Sequence, residues 1–223
     1  MVRFALRINV GVAMCLFMLT APGARGDDAS TNRTAAASPS KTAPATPAGM
    51  HVVPLNGNNF TLPIGFEIEI AASSALVPRP ITADFDEQGR LYVADSSGTN
   101  EDVEQQVKHP SHRIIRLEDR QGKGQFDKAA VFADHVMFPE GTMWRAGSLY
   151  VAAPPSIWKF TDKGGHGTAD ERVEWFEGKT LTHCANDLHG PYLGPDGWIY
   201  WCKGAFAKQV YERPGKPPFI TKA

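Results

Sequence analysis

The chain has 223 residues, 42% of them hydrophobic, with 23 basic side chains against 24 acidic ones and a formal net charge of −1. That balance excludes the basic footprint of a nucleic-acid-binding protein and gives no electrostatic draw to an anionic membrane surface. Three cysteines, Cys15, Cys184 and Cys202, are too few for a disulfide scaffold.

At the start of the chain, Arg3 and Arg7 flank an apolar run from Ile8 to Leu19, followed by Ala21-Pro22-Gly23-Ala24-Arg25-Gly26. This is the three-part form of a secretory signal peptide over residues 1–26, cleaved after Gly26. The run is shorter than the roughly 20 apolar residues that span a bilayer, which argues against an uncleaved anchor. Export places the protein in the periplasm, in the cell envelope or outside the cell, with any membrane association left to regions beyond this chain. Residues 27–49, rich in Ala, Ser, Thr and Pro, have almost nothing to bury and read as a disordered linker. The globular part, 50–223, keeps two cysteines, Cys184 and Cys202, which either form a bridge or remain buried thiols. It is large enough for one modest core.

From Phe66 to Ile70 apolar and acidic residues alternate, the pattern of a half-buried strand. Three segments then share one plan: Ile81 to Ala94, Glu140 to Ala152 and Leu188 to Trp201. Each is a strand, a tight turn with a glycine (Gly89, Gly147 and Gly197), and a strand opening on an aliphatic residue followed by tyrosine (Tyr92, Tyr150 and Tyr200). Between them Ile114 to Asp127 is repeated at an offset of 43 by Ile157 to Asp170, with Asp119, Gly122, Gly124 and Asp127 recurring as Asp162, Gly165, Gly167 and Asp170. Short strand-like runs follow, Ala129 to Ala133 and Val173 to Phe176. Four strands in about 45–55 residues make one blade of a β-propeller. The predicted fold is therefore all-β, a partial propeller of about three blades, whose last stretch, Arg213 to Ile220, reads as a loop leading into a further strand. The blade count predicts a fragment of a larger ring, inactive by itself, or a ring completed by a second copy.

Two features offer chemistry. The frame Asp-x-x-Gly-x-Gly-x-x-Asp has the outline of a calcium loop, but Lys123 and His166 stand at interior ligand positions, and lysine puts a cation inside the cage. The alternative is an inter-strand turn whose aspartates accept backbone amides. The second feature is Thr182-His183-Cys184-Ala185-Asn186-Asp187-Leu188-His189, which runs into a strand. An imidazole takes a proton from a hydroxyl, and Asn186 or Asp187 would hold its tautomer. Zinc on His183, Cys184 and His189 is the competing chemistry; loop cross-linking without chemistry is the third reading. Lys203 suits an acidic substrate or cofactor group, Glu140 and Trp144 are further candidates for the same mouth, and Trp198 and Trp201 read as packing residues.

Leu62-Pro63-x-Gly65-Phe66-Glu67, Phe85-Asp86-x-x-Gly89-Arg90-Leu91-Tyr92-Val93, Ile157-Trp158-Lys159-Phe160 and Gly194-Pro195-Asp196-Gly197-Trp198-Ile199-Tyr200 taken together resemble the N-terminal region of large membrane-associated dehydrogenases of planctomycetes. Those proteins are similar to the glucose/sorbosone dehydrogenase superfamily. The resemblance implies a six-bladed, TolB-like propeller and oxidation of sugars or polyols with pyrroloquinoline quinone and calcium. Many members of the group carry a cytochrome module that accepts the electrons, although this chain has no Cys-x-x-Cys-His for haem. In soluble relatives the base histidine lies eight residues before the Gly-Pro-Asp-Gly turn. Here that position is Asn186, with His189 five and His183 eleven before Gly194. His189 is the preferred base, followed by His183, Asn186 and Asp187; Lys203 is the cofactor-binding candidate, and the family's quinone-contacting arginines would lie in later blades. The alternative is a propeller that binds or scaffolds at the cell surface without catalysis.

Overall fold

A computed structural model describes residues 2–6, 46–179, 181, 188–203 and 209–221. They form an all-β protein of small antiparallel sheets, none of them closed, with one short helix among the described residues. The chain divides into two compact units between Glu69 and Ile70.

In the first unit β2 (Met50–Leu55) and β3 (Asn58–Pro63) form a hairpin. Its two-residue turn is Asn56-Gly57, both at positive φ (50° and 77°). That is the geometry Asn-Gly supplies most readily, because its twist matches that of the flanking strands. The strand β4 (Phe66–Ile70) neighbours β1 (Val2–Leu6) in a two-stranded sheet.

The second unit holds two four-stranded meanders. The first is β5 (Pro80–Phe85), β6 (Leu91–Asp95), β7 (His112–Glu118) and β8 (Lys128–Val136); the second is β9 (Gly141–Arg145), β10 (Ser148–Ala153), β11 (Ser156–Thr161) and β12 (Glu171–Phe176). The predicted hairpins coincide with β5–β6 and β9–β10, and the predicted outer runs fall inside β8 and β12. A third hairpin, β13 (Leu188–Leu193) with β14 (Ile199–Lys203), stands as its own sheet, as does β15 (Gln209–Arg213) with β16 (Lys216–Thr221). One correction follows: the third repeat does not unite into one four-stranded sheet among the described residues. From Arg213 the chain turns at Pro214-Gly215, with Gly215 at φ 69°, and enters the expected further strand, which begins already at Lys216.

The short helix, α1 (Val103–Lys108), lies in the β6–β7 connection. It starts on a reciprocal cap: the Asp102 carboxylate accepts the Gln105 amide at 2.8 Å, and the Gln105 side chain accepts the Asp102 amide at 3.0 Å.

All five residues of β6 are buried because both faces of its sheet are covered. Leu91 and Val93 meet Ile115 and Leu117 on one face, under Ala71, Ala72 and Val77. Tyr92 and Ala94 point the other way, into a cluster shared with Leu149, Val151 and Phe160 of the second sheet. The two-residue period of the strand sorts these side chains. Tyr92 stacks on Trp144 (centroids 4.6 Å apart, 22° between planes) and meets the edge of Phe132 at 4.8 Å. Its hydroxyl donates to Asp86 at 3.2 Å. Backbone groups reinforce the junction, with the Trp144 amide donating to Asp84 at 2.7 Å and Ala169 N–H to the Phe132 carbonyl at 2.8 Å.

Removing this ring is expected to empty the middle of the core. Tyr92→Ala should cost about 3–5 kcal/mol in urea unfolding, whereas Tyr200→Ala, at the matching but exposed position, should leave the midpoint nearly unchanged. Burial is the main cause that raises the Tyr92 phenol from 10 to about 12. The folded state therefore holds this proton more tightly than the unfolded chain. Stability from this group is complete below pH 10 and lost as pH climbs through about 12. Denaturation monitored across that range in wild type and Tyr92→Phe should show the decline only in wild type.

Candidate functional site

β5 and β9 run side by side in the same direction. Thr82 meets Thr142 (3.3 Å between hydroxyls), and Asp84 meets the Trp144 amide. Their starting ends therefore share one side of the unit, and Glu140 sits at that end, immediately before β9. Its own amide donates to the Ala152 carbonyl at 2.8 Å, which ties it to the sheet.

β13 meets β9 through a pair of glycines. A Cβ added to Gly141 would lie 1.6 Å from the Gly190 carbonyl oxygen, so the two backbones abut where no side chain fits. Gly190 itself has φ 100°, a conformation that favours glycine. Its strand is also irregular here, the register against β14 shifting between His189 and Tyr192. Such a bulge re-aims neighbouring side chains. The residues preceding the two glycines are thereby brought together, and His189 Nδ1 lies 3.7 Å from a Glu140 carboxylate oxygen. The imidazole is 48% exposed and Glu140 21%, so the pair is open to a solute yet partly out of water.

Across the hairpin, Cys202 pairs with His189 and Lys203 with Leu188. Lys203 is half-buried, while Cys202 is exposed and not disulfide-bonded. Cys202 therefore departs from both expectations, bridge and buried thiol. His183, Cys184, Asn186 and Asp187 lie outside the described residues. Of the sequence-predicted site residues, His189 and Lys203 lie close in the β13–β14 hairpin, and Glu140 joins His189 from the preceding sheet. Trp144 does not belong to the mouth: it stacks on Tyr92, and its indole N–H donates to Glu87 at 2.7 Å. Trp201 packs on Phe176 (4.8 Å) and Trp175 (5.7 Å) as expected, but Trp198 is 73% exposed and not a packing residue.

The repeated loops lie at the opposite end of their sheets. Asp119 accepts the amides of Gln121, Lys123 and Gly124 (3.2, 3.2 and 2.6 Å), and Asp162 those of His166 and Gly167 (2.9 and 2.6 Å). Asp127 takes the Arg120 amide, and Asp170 the amides of Lys163 and Gly164. The Arg120 and Lys163 amides are the leading causes that hold Asp127 and Asp170 below the usual carboxylate range. The carboxylates brace their own loops, and Lys123 places a cation at an interior ligand position of the first, which fits calcium poorly. The inter-strand turn is the arrangement seen.

Sequence reasoning missed a polar cluster at the β6–β7 connection, on the Glu140 side of the unit. Asp95, fully buried, accepts the Arg79 amide at 2.8 Å and two guanidinium bonds from Arg113 at 3.0 and 2.9 Å. His112 is 4% exposed, and its Nδ1 accepts the Ser97 amide at 3.0 Å. Glu101 accepts from the Ser111 hydroxyl at 2.6 Å and from Gln106. The signal available was Ser96-Ser97-Gly98-Thr99, a stretch of hydroxyl-bearing residues after a buried aspartate. The paired charges come from separate strands and leave no spacing to read.

Residues 56–222 match the family described as Domain of unknown function (DUF7133). This is well over half of the chain, which belongs to that family. Comparison with curated proteins and with solved structures gives no match.

Two outcomes test the site as a structure. Gly141→Ala should separate β9 from β13 and lower the melting temperature, while Gly147→Ala, where a Cβ meets nothing within 4 Å but φ is 78°, should lower it less. Burial depresses the His112 imidazole below its ordinary 6.5. Its neutral form thus belongs to the fold, and the stability it contributes is present above pH 6.5 and lost as pH falls through the lower folded value. Thermal melts between pH 7 and 4.5 should show a steeper acid loss in wild type than in His112→Gln.

Proposed function

We propose that this member of the DUF7133 family is an exported propeller-type sugar or polyol dehydrogenase, in which His189 accepts the proton of the substrate hydroxyl. The observation that carries the reading is the half-exposed imidazole at the start of β13, where the backbones of β9 and β13 abut. Three features support a propeller: the two four-stranded meanders follow one another in the chain, each next sheet covers a face of the last, and the first strands β5, β9 and β13 are successive neighbours. The motif order from Leu62 to Tyr200 supports the dehydrogenase reading through its resemblance to the glucose/sorbosone superfamily.

The residues act as follows. The O–H proton passes to His189, and the carbinol carbon loses hydrogen with two electrons, becoming a carbonyl. Pyrroloquinoline quinone, when bound, supplies acceptance of that hydride. Lys203, half-buried in β14 where it pairs with Leu188, is the cofactor-binding candidate of this hairpin. Electrons then leave to a partner such as a cytochrome module. Calcium would be held elsewhere than in the Asp119 and Asp162 loops.

A second reading has its own observation. Tyr192, Trp198 and Tyr200 on the third hairpin are 56%, 73% and 53% exposed, a surface suited to a binding or scaffold module without chemistry.

Dye-linked oxidation should separate the two. A complete ring containing this chain, supplied with quinone and calcium, is expected to reduce dye with a sugar or polyol, and His189→Ala should lose about 10²–10⁴ of kcat. Failure to reduce dye with any hydroxyl substrate, together with sugar binding that survives His189→Ala, would favour the binding module.

A further inference from the structure

We propose that Glu140 is a positioning residue for His189: it holds the proton on Nδ1 and so leaves Nε2 as the atom that takes the hydroxyl proton. The inference rests on the reading of His189 as the base, and it assigns the orienting role to another sheet than the sequence did. Asn186 and Asp187 are the orienting groups a linear reading offers, because they stand beside the histidine in the chain. The fold brings a carboxylate to His189 from 49 residues earlier.

Three observations converge on Glu140. Its carboxylate oxygen faces Nδ1 of His189 and not the other ring nitrogen, at 3.7 Å. At 3.7 Å the contact is longer than a hydrogen bond, a separation common before substrate binds, and it tightens when the imidazole becomes cationic. The second observation is rigidity. Glu140 is anchored through its amide to Ala152, and the Gly141–Gly190 abutment allows no slack between the two strands. The third is partial burial: at 21% exposure the carboxylate is screened less than a surface acid would be. A neutral imidazole has two tautomers, and an acceptor at Nδ1 selects the one whose Nε2 lone pair is free. As the proton arrives on Nε2, the carboxylate stabilises the imidazolium that forms. Glu140 touches no substrate in this arrangement; it acts through His189.

Nitrogen-15 NMR of histidine-labelled protein reads the tautomer without any turnover. Wild type is expected to show His189 protonated on Nδ1, Glu140→Gln to move the proton towards Nε2, and Glu140→Asp to restore it in part. In dye reduction Glu140→Gln should lower kcat about tenfold with KM little changed, a smaller loss than removal of the base itself. Gly141→Ala, which alters neither side chain, should move the tautomer in the same direction. A His189 spectrum identical in wild type and Glu140→Gln would overturn the proposal even if turnover is present. A tautomer that responds to Glu140 in a protein that oxidises no alcohol would instead retire the dehydrogenase reading and keep the pairing.

Discussion

Both faces of a β-sheet must be covered when neither can be left to water, and in this protein that constraint is met by neighbouring sheets. The stack of Tyr92 on Trp144 is the point of closure between the first meander and the second. Tyr92 sits at the centre of the first sheet's inner pair and Trp144 on the leading strand of the next, so one aromatic contact fixes which strand of one sheet meets which strand of the other. The amide of Trp144 on Asp84 then sets the register along that contact. A ring pair of this kind contributes about 0.5–1.5 kcal/mol beyond its buried area. Its larger effect is geometric, since it makes β5 and β9 run alongside each other and places their starting ends together.

The same logic accounts for the gradient in exposure of the repeated tyrosines. Tyr92 is buried under the following sheet, Tyr150 is half-buried against Trp175, and Tyr200 is 53% exposed. The sequence plan of the three hairpins is alike, so the difference lies in what covers each. Tyr200 keeps a local partner, its hydroxyl donating to Asp196 at 2.5 Å, just as Tyr92 donates to Asp86. The turn chemistry is thus intrinsic to the hairpin, while burial comes only from a neighbour.

The hairpins were legible because their signals are local. Glycine at the turn and an aliphatic-tyrosine pair after it place β6, β10 and β14 within a residue or two. The 43-residue repeat was legible for the same reason, and its aspartates proved to be acceptors of the amides that their own glycine turns present. Asn56-Gly57 and the Asp102–Gln105 cap are equally local signals. What the sequence did not display was everything made by packing. Trp144 belongs to the core and not the mouth because a tyrosine 52 positions earlier needs a cover. Cys202 and Lys203 acquire their relation to His189 only through strand pairing. Glu140 becomes relevant only through a backbone contact between two glycines, and no spacing rule encodes that contact.

The glycine contact has a consequence for how such a site arises. Gly141 omits a Cβ that would collide with the Gly190 carbonyl and so lets β9 approach β13, whereas at Gly190 a Cβ would face Tyr200 and Trp201 of β14 and glycine is favoured by the φ of 100°. Had Gly141 carried a side chain, the strands would stand apart and the acid and the imidazole would each face solvent separately. A carboxylate and a histidine on adjoining surfaces in water interact weakly and are screened by salt. Brought together by a rigid backbone contact, partly shielded and anchored by the Glu140 amide donating to a sheet carbonyl, they become one unit whose geometry the fold determines. The geometry of the pair therefore depends on Gly141, a residue that carries no chemistry of its own, as well as on the acid and the imidazole.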